Sequence, residues 1–223
     1  MKTVSLTIDS RKITAPEGQS ILWTALDNGI YIPNLCSLRD KEEPSASCRL
    51  CFVEIEGKKQ PVTACTEKVA EGMVVNTRGK EALRLARAGF ELLMASHLLD
   101  CAHCAANGSC ELQKIARCLG VKLKTKQLRT ILRNLPVDDS NPLFTYDPNK
   151  CVLCGRCVWI CRERLGAGFL GIARRGFQRV VTTFADEPMG NNTCQQCGEC
   201  VKACPTGALA FKPGTDEIKT ERR

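Results

Sequence analysis

Sixteen of the 223 residues are cysteine, and their spacing is what could do chemistry. The densest stretch holds Cys151-x2-Cys154-x2-Cys157-x3-Cys161 and, after 32 intervening residues, Cys194-x2-Cys197-x2-Cys200-x3-Cys204-Pro205. Thiolates spaced by two residues can meet different irons of one cubane, and where two such runs occur the fourth Cys of each serves the other cluster. The pattern assigns one [4Fe–4S] cluster to Cys151, Cys154, Cys157 and Cys204, and a second to Cys194, Cys197, Cys200 and Cys161. That exchange would clamp the two halves of the segment together and couple cluster assembly to folding. A pair of structural zinc sites is the competing reading. Zinc usually takes its four ligands as two separated pairs, and two complete four-Cys runs do not have that form.

Two more constellations precede these. Cys36-x11-Cys48-x2-Cys51-x13-Cys65 suits a [2Fe–2S] rhomb held by loops, although its spacing departs from the plant-type C-x4-C-x2-C pattern. Zinc on the same four thiols is the alternative. His97-x3-Cys101-x2-Cys104-x5-Cys110 offers three thiolates that need a fourth ligand for a further [4Fe–4S] cluster. His97 is favoured because it lies one turn before the first of them; a buried core histidine and ligation by His103 are the alternatives. Exchanging a thiolate for neutral imidazole removes one negative charge, which should make that cluster easier to reduce. Fifteen Cys and one His then fill sixteen ligand positions. Cys118 is left over, and reads as a small buried hydrophobe on a helix after Cys110.

The elements that must position these groups follow from hydrophobic periodicity. Val4, Leu6 and Ile8 alternate with polar residues and Lys12–Ala15 follows a short turn, which predicts an opening hairpin. Ile21, Leu22, Ala25 and Leu26 form a helical stripe closed by Gly29. Hairpin, helix and then a loop cysteine is the order of β-grasp ferredoxins. Phe52–Ile55 and Val62–Ala64 flank Gly57-Lys58-Lys59 as a hairpin returning Cys65 to the site. Leu83, Ala86, Phe90, Leu93, Met94 and His97 share one face of a helix expected over 80–99. Val121 to Leu135 is basic with interleaved leucines and reads as a connector, with a partner-docking surface as the sharper alternative. Gly166-x-Gly168-x-x-Gly171 matches a dinucleotide fingerprint in letters alone, since it follows a cluster ligand by five residues instead of a buried strand. Val180 to Phe184 reads as a strand of an inserted hairpin.

The fold class expected is α+β, in five segments. Residues 1–79 form a β-grasp [2Fe–2S] domain and 80–120 a small helical [4Fe–4S] domain with one His and three Cys ligands. A basic connector over 121–140 leads to a two-cubane ferredoxin-like domain over 141–212 and a polar tail over 213–223. The formal charge of +8 counts every thiol as neutral. Four clusters would together carry about −7, so the basic residues read as compensation for buried anions more than as a nucleic-acid footprint. No basic-plus-apolar leader opens the chain and no apolar run of membrane-spanning length occurs. Abundant cysteine without an export signal points to metal ligation in the reducing cytoplasm.

With the four constellations in order, the chain resembles a known family. It is similar to the small iron–sulfur diaphorase subunit of NAD(P)-linked hydrogenases and formate dehydrogenases. It also resembles the N-terminal region of iron-only hydrogenases and of the large iron–sulfur subunit of respiratory complex I. The residues that carry the likeness are Cys36, Cys48, Cys51 and Cys65; His97-Leu98-Leu99-Asp100-Cys101 with Gly108, Cys110, Leu112 and Gln113; Asp147-Pro148-Asn149-Lys150-Cys151 through Cys157; and Cys197 through Leu209. The resemblance implies an electron-transfer subunit relaying electrons between a flavin- and NAD(P)-binding subunit and a hydrogenase, or alternatively a formate dehydrogenase or bifurcating reductase. It implies no flavin or nucleotide and no catalytic site on this chain, which stops where iron-only hydrogenases continue into their hydrogen-activating domain. A purely structural metal-binding interaction module is the reading from another class.

Overall fold

The structure, a computed structural model, describes residues 2–124, 128–190 and 194–215. Part of the expected connector and most of the expected tail therefore lie outside the described residues. The chain forms two compact units, Met1–Leu92 with Ile115–Lys122, and Leu93–Lys114 with Leu123–Arg223. Among the described residues no helix is long and apolar enough to cross a membrane.

In the first unit, β1 (Thr3–Ile8) and β2 (Arg11–Pro16) form an antiparallel hairpin. Asp9 and Ser10 turn it with positive φ at both positions, as a two-residue hairpin loop requires. α1 (Ile21–Asp27) starts at Ser20, whose hydroxyl accepts from the Trp23 N–H, and it buries Ile21, Leu22 and Ala25. The strands β3 (Phe52–Ile55), β4 (Val62–Thr63) and β5 (Val74–Asn76) complete a five-stranded sheet in the order β2-β1-β5-β3-β4. β5 runs parallel to β1 and antiparallel to β3. Ile8, Leu22, Val53 and Val75 meet in the core between sheet and helix. The β3–β4 hairpin ends two residues before Cys65, as the alternation of Phe52–Ile55 and Val62–Thr63 implied.

α2 (Lys80–Met94) is shorter than the sequence pattern suggested. Past Met94 the N–H groups of Ser96 and His97 tighten onto the carbonyls of Leu93 and Met94, and that of Leu98 turns away to Asn149 O at 2.9 Å. These bonds leave nothing to continue the i→i−4 ladder, so His97 stands beyond the helix instead of on its face. At the other end the Glu54 carboxylate of β3 accepts from the N–H groups of Glu81 (2.9 Å) and Ala82 (3.2 Å), satisfying orphan donors of the first turn. α3 (Glu111–Leu119) carries a half-buried Cys118, on the element the sequence placed it.

The second unit contains β6 (Phe144–Tyr146), α4 (Arg156–Trp159), β7 (Gly171–Ala173), β8 (Val180–Thr182), α5 (Glu199–Lys202) and β9 (Leu209–Phe211). α4 continues into a π-helical turn over Ile160–Arg164 that carries Cys161. β6 pairs antiparallel with β9, setting Tyr146 opposite Leu209. β6 lies just before the first four-Cys run and β9 just after the second, so this pairing draws Cys151 and Cys204 together. The segment ahead of the second run is held by buried Asn141, which donates to Met189 O at 2.7 Å, and by Asp138, which accepts from the Met189 N–H at 2.7 Å. β7 and β8 pair as a hairpin. The Gly166–Gly171 stretch leaves the π-turn and leads into β7, which reverses the strand-then-helix order a dinucleotide loop needs.

Gly89 of α2 passes so close to the Cys48–Cys51 loop that a Cβ there would lie 2.6 Å from the Arg49 carbonyl oxygen. Backbone cannot yield as a side-chain tip can. Gly89→Ala is therefore expected to destabilise the loaded protein by about 1–3 kcal/mol and to disturb the visible spectrum of the N-terminal site, measured by denaturant titration followed by absorbance.

Candidate iron–sulfur centres

Cys36, Cys48, Cys51 and Cys65 are all buried. They meet as two contacting pairs, Cys36 with Cys48 and Cys51 with Cys65. Within each pair one sulfur accepts the other's S–H. Cys36 and Cys65 are therefore held below the ordinary thiol value, while Cys48 and Cys51 are pushed up by the same bond together with burial. Four buried sulfurs sharing protons form a donor set suited to a cation or cluster that displaces them. Arg49, between Cys48 and Cys51, adopts a left-handed φ of +54°, and its guanidinium lies 4.7 Å from the centroid of the Phe52 ring. The loop bearing Cys36 is tied to α1 by Arg39, which donates to both Asp27 oxygens (3.2 and 2.6 Å) and stacks on Trp23.

His97, Cys101, Cys104 and Cys110 line one cavity in the second unit, together with Gly207. His97 Nδ1 is buried with no hydrogen-bond partner. Burial, and then the nearby Lys150 ammonium, lower the imidazole to about 4, so the ring is neutral and its lone pair free at physiological pH. His103 instead sits outside this lining, exposed and bonded to Asp100 at 2.8 Å. The loop from Cys104 to Cys110 is braced by Gln113, which accepts from the Gly108 N–H (2.9 Å) and donates to Asn107 (2.8 Å). Gly207 closes the cavity from the far side of the chain. A Cβ there would lie 2.3 Å from Cys104 Sγ, so a larger residue would force that sulfur out of its present position.

Cys151, Cys154, Cys157 and Cys204 line a second cavity with Tyr146, Val181 and Thr206. Burial raises the Cys154 thiol to about 12 and drives Cys157 well above its ordinary value. After burial, the charges acting on Cys157 are Cys154, Cys151, Cys204 and Cys200. Cys200 is raised to about 12, first by burial and then by Cys197, Cys194 and Cys161. Both runs share one backbone device. Leu153 and Gln196 take a left-handed φ just before the second Cys, and Gly155 and Gly198 do so just after it. In the first run this turns the Leu153 N–H onto Cys151 Sγ at 3.4 Å. Among the described residues no three His, Cys, Asp or Glu side chains converge on a point where one ion could sit. A cluster spreads its ligands over several irons and needs no such point.

The unpartnered buried imidazole nitrogen, the cradle at Gly207 and the proton-sharing thiol pairs all fit iron–sulfur clusters. Comparison with known proteins agrees. Residues 1–80 match the 2Fe-2S iron-sulfur cluster binding domain, 87–124 the NADH-ubiquinone oxidoreductase-G iron-sulfur binding region, and 141–210 the ferredoxin-like domain of NADH-quinone oxidoreductase subunit 3. A chain in the crystal structure of an NAD+-reducing [NiFe]-hydrogenase superposes with a TM-score of 0.83 at 30% identity, over 95% of this chain and 88% of that one. The chain belongs to the iron–sulfur electron-transfer subunits of NAD(P)-linked hydrogenases and complex I-like enzymes. The NADPH-Fe(3+) oxidoreductase subunit alpha of Geobacter sulfurreducens is 39% identical over 94% of this chain. The NADP-reducing hydrogenase subunit HndD of Solidesulfovibrio fructosivorans is 35% identical over 94%. The chain spans 24% and 36% of the length of these two relatives.

Sequence reasoning about this family member singled out the sulfurs and missed what braces them. Gly207 was visible only as part of Pro205-Thr206-Gly207, and nothing local reports that it touches Cys104. Gly207→Ala is expected to remove about four Fe per chain while leaving the other centres in place, as read by metal analysis and EPR. The Arg39–Asp27 tie gives a pH test. Asp27 lies below its ordinary 3.8 because Arg39 bonds to it, so its contribution is present above that value and lost as pH falls through the depressed one. Both partners are well exposed, so a double-mutant cycle of Arg39→Ala and Asp27→Asn should give at most about 1 kcal/mol near neutral pH, fading below about pH 4.

Proposed function

We propose that the chain holds one [2Fe–2S] cluster on Cys36, Cys48, Cys51 and Cys65, and three [4Fe–4S] clusters. These sit on His97, Cys101, Cys104 and Cys110; on Cys151, Cys154, Cys157 and Cys204; and on Cys194, Cys197, Cys200 and Cys161. The first unit then contains a β-grasp ferredoxin domain and the C-terminal region a two-cubane ferredoxin domain, with the His97 segment between them in sequence. When bound, the clusters supply one-electron carriers. The chain's own residues hold the sulfurs, bury many of them while leaving Cys197 exposed, and aim backbone N–H groups such as that of Leu153 at them. These are the means by which a protein sets a cluster's potential.

The physiological role we infer is relay between a flavin- and NAD(P)-binding subunit and a hydrogenase subunit of a cytoplasmic complex. The likeness to a chain of an NAD+-reducing hydrogenase supports this most directly. A second reading is relay in an NADPH-linked metal reductase, favoured by the 39% identity to the Geobacter oxidoreductase subunit. The single observation carrying the ligand assignment is the buried His97 Nδ1, unpartnered beside three cysteines.

Anaerobically purified protein is expected to contain about 14 Fe per chain and to be reduced by dithionite; a zinc-dominated preparation would overturn the assignment. His97→Ala should lose or convert one cubane and spare the other three centres, and unchanged EPR spectra would reassign that ligand. For the role, the native complex should reduce NAD(P) with hydrogen. Absence of that activity together with ferric reduction by NADPH would select the second reading.

A further inference from the structure

Tyr146 lies on β6 with Phe144, and both side chains point into the core of the second unit. Its ring is 5% exposed, yet its hydroxyl makes no hydrogen bond of good geometry. Leaving a buried hydroxyl unpaired is costly, and a phenylalanine would fill the same space without that cost. The hydroxyl therefore calls for a partner. The cavity it lines is the one walled by Cys151, Cys154, Cys157 and Cys204, and the side chain within its hydrogen-bonding reach is that of Cys151. A phenol keeps its proton at neutral pH, so the hydroxyl is an O–H donor.

Cys151 itself is held firmly. Arg133 donates to its carbonyl at 2.7 Å, and the Leu153 N–H reaches its sulfur at 3.4 Å. A thiolate sulfur can accept more than one such bond, and each one stabilises the more negative, reduced state of the site.

We propose that the Tyr146 hydroxyl donates a hydrogen bond to the Cys151 thiolate of the loaded [4Fe–4S] site and raises that site's reduction potential. Tyr146 is thus a tuning residue that acts through a ligand; it is not itself a ligand. The inference rests on the reading that Cys151 binds iron. The two can fail separately, since Cys151→Ser with undiminished iron and unaltered EPR signals would remove the ligand reading itself.

The test is an EPR-monitored redox titration of the full chain, purified anaerobically, with and without Tyr146→Phe. At equal iron content the variant should move the midpoint of one [4Fe–4S] signal to lower potential, leave the others in place, and lose a deuterium-exchangeable proton coupling at that cluster. Identical midpoints overturn the proposal, and so does a shift with the exchangeable coupling intact. The sequence has only two tyrosines, Tyr31 and Tyr146, so biosynthetic 3-fluorotyrosine gives an independent arm in the unmutated chain. Its more acidic phenol is a stronger donor and should move the same midpoint to higher potential, in a Tyr31→Phe background as well. A midpoint unmoved by fluorotyrosine overturns the proposal even where Tyr146→Phe fails to take up iron.

Discussion

Cysteine sulfurs brought together in dry surroundings cannot all ionise on their own, and the rest of this structure is arranged around that conflict. Burial favours the neutral thiol and neighbouring thiolates repel, which is why Cys154, Cys157 and Cys200 are all driven upward. In the N-terminal site the conflict is met by proton sharing within the Cys36–Cys48 and Cys51–Cys65 pairs. Iron bound there as proposed would resolve it by replacing protons with a more highly charged centre, making loading and stability one free energy. The scaffold must hold the donors close before that happens.

It does so mostly with backbone. The left-handed residues around each second Cys reverse the chain within two peptide units, and in the first run they aim an amide at a sulfur. Glycines appear where the backbone passes close to another group, Gly89 against the Arg49 carbonyl, which cannot move aside, and Gly207 against Cys104 Sγ, which iron ligation would hold in place. Regular secondary structure is correspondingly sparse in the second unit: of its proposed ligands only Cys101, Cys157, Cys161 and Cys200 lie in helical turns, of three to five residues, the others stand in loops, and β6 with β9 ties the two runs.

Within that unit the His97 cavity and the Cys151 cavity share walls. Leu98 bonds to the Asn149 carbonyl, Glu111 to that of Pro205, and Thr206 to that of Lys150. The segment 204–207 thus lends residues to both linings, and 147–151, which lines one with Cys151, bonds to Leu98 of the other. If both cavities hold carriers as proposed, the protein between them would be a few bonded and hydrogen-bonded steps. A neutral imidazole on one side and an all-sulfur set on the other would give the two sites different charge.

The sequence by itself pointed to the kind of chemistry, 2Fe-2S and 4Fe-4S centres, that the matching domains carry. Cysteine spacing is local, so which sulfurs can wrap one cluster is written in the loop lengths, and the alternation of Val4, Leu6 and Ile8 or Phe52–Ile55 reports strands that exist because one face is buried. Periodicity overran the end of α2, because the bonds that stop it come from Asn149 and from tightening at Ser96 and His97, neither of which has a signature in the helix's own residues. Only the tertiary structure decided which nitrogen of His97 is left without a partner, that Gly207 lies against Cys104, and that the Tyr146 hydroxyl lines a cavity of cysteines. Each depends on atoms far apart in the chain meeting within a few ångströms, a distance that spacing along one strand of sequence does not encode.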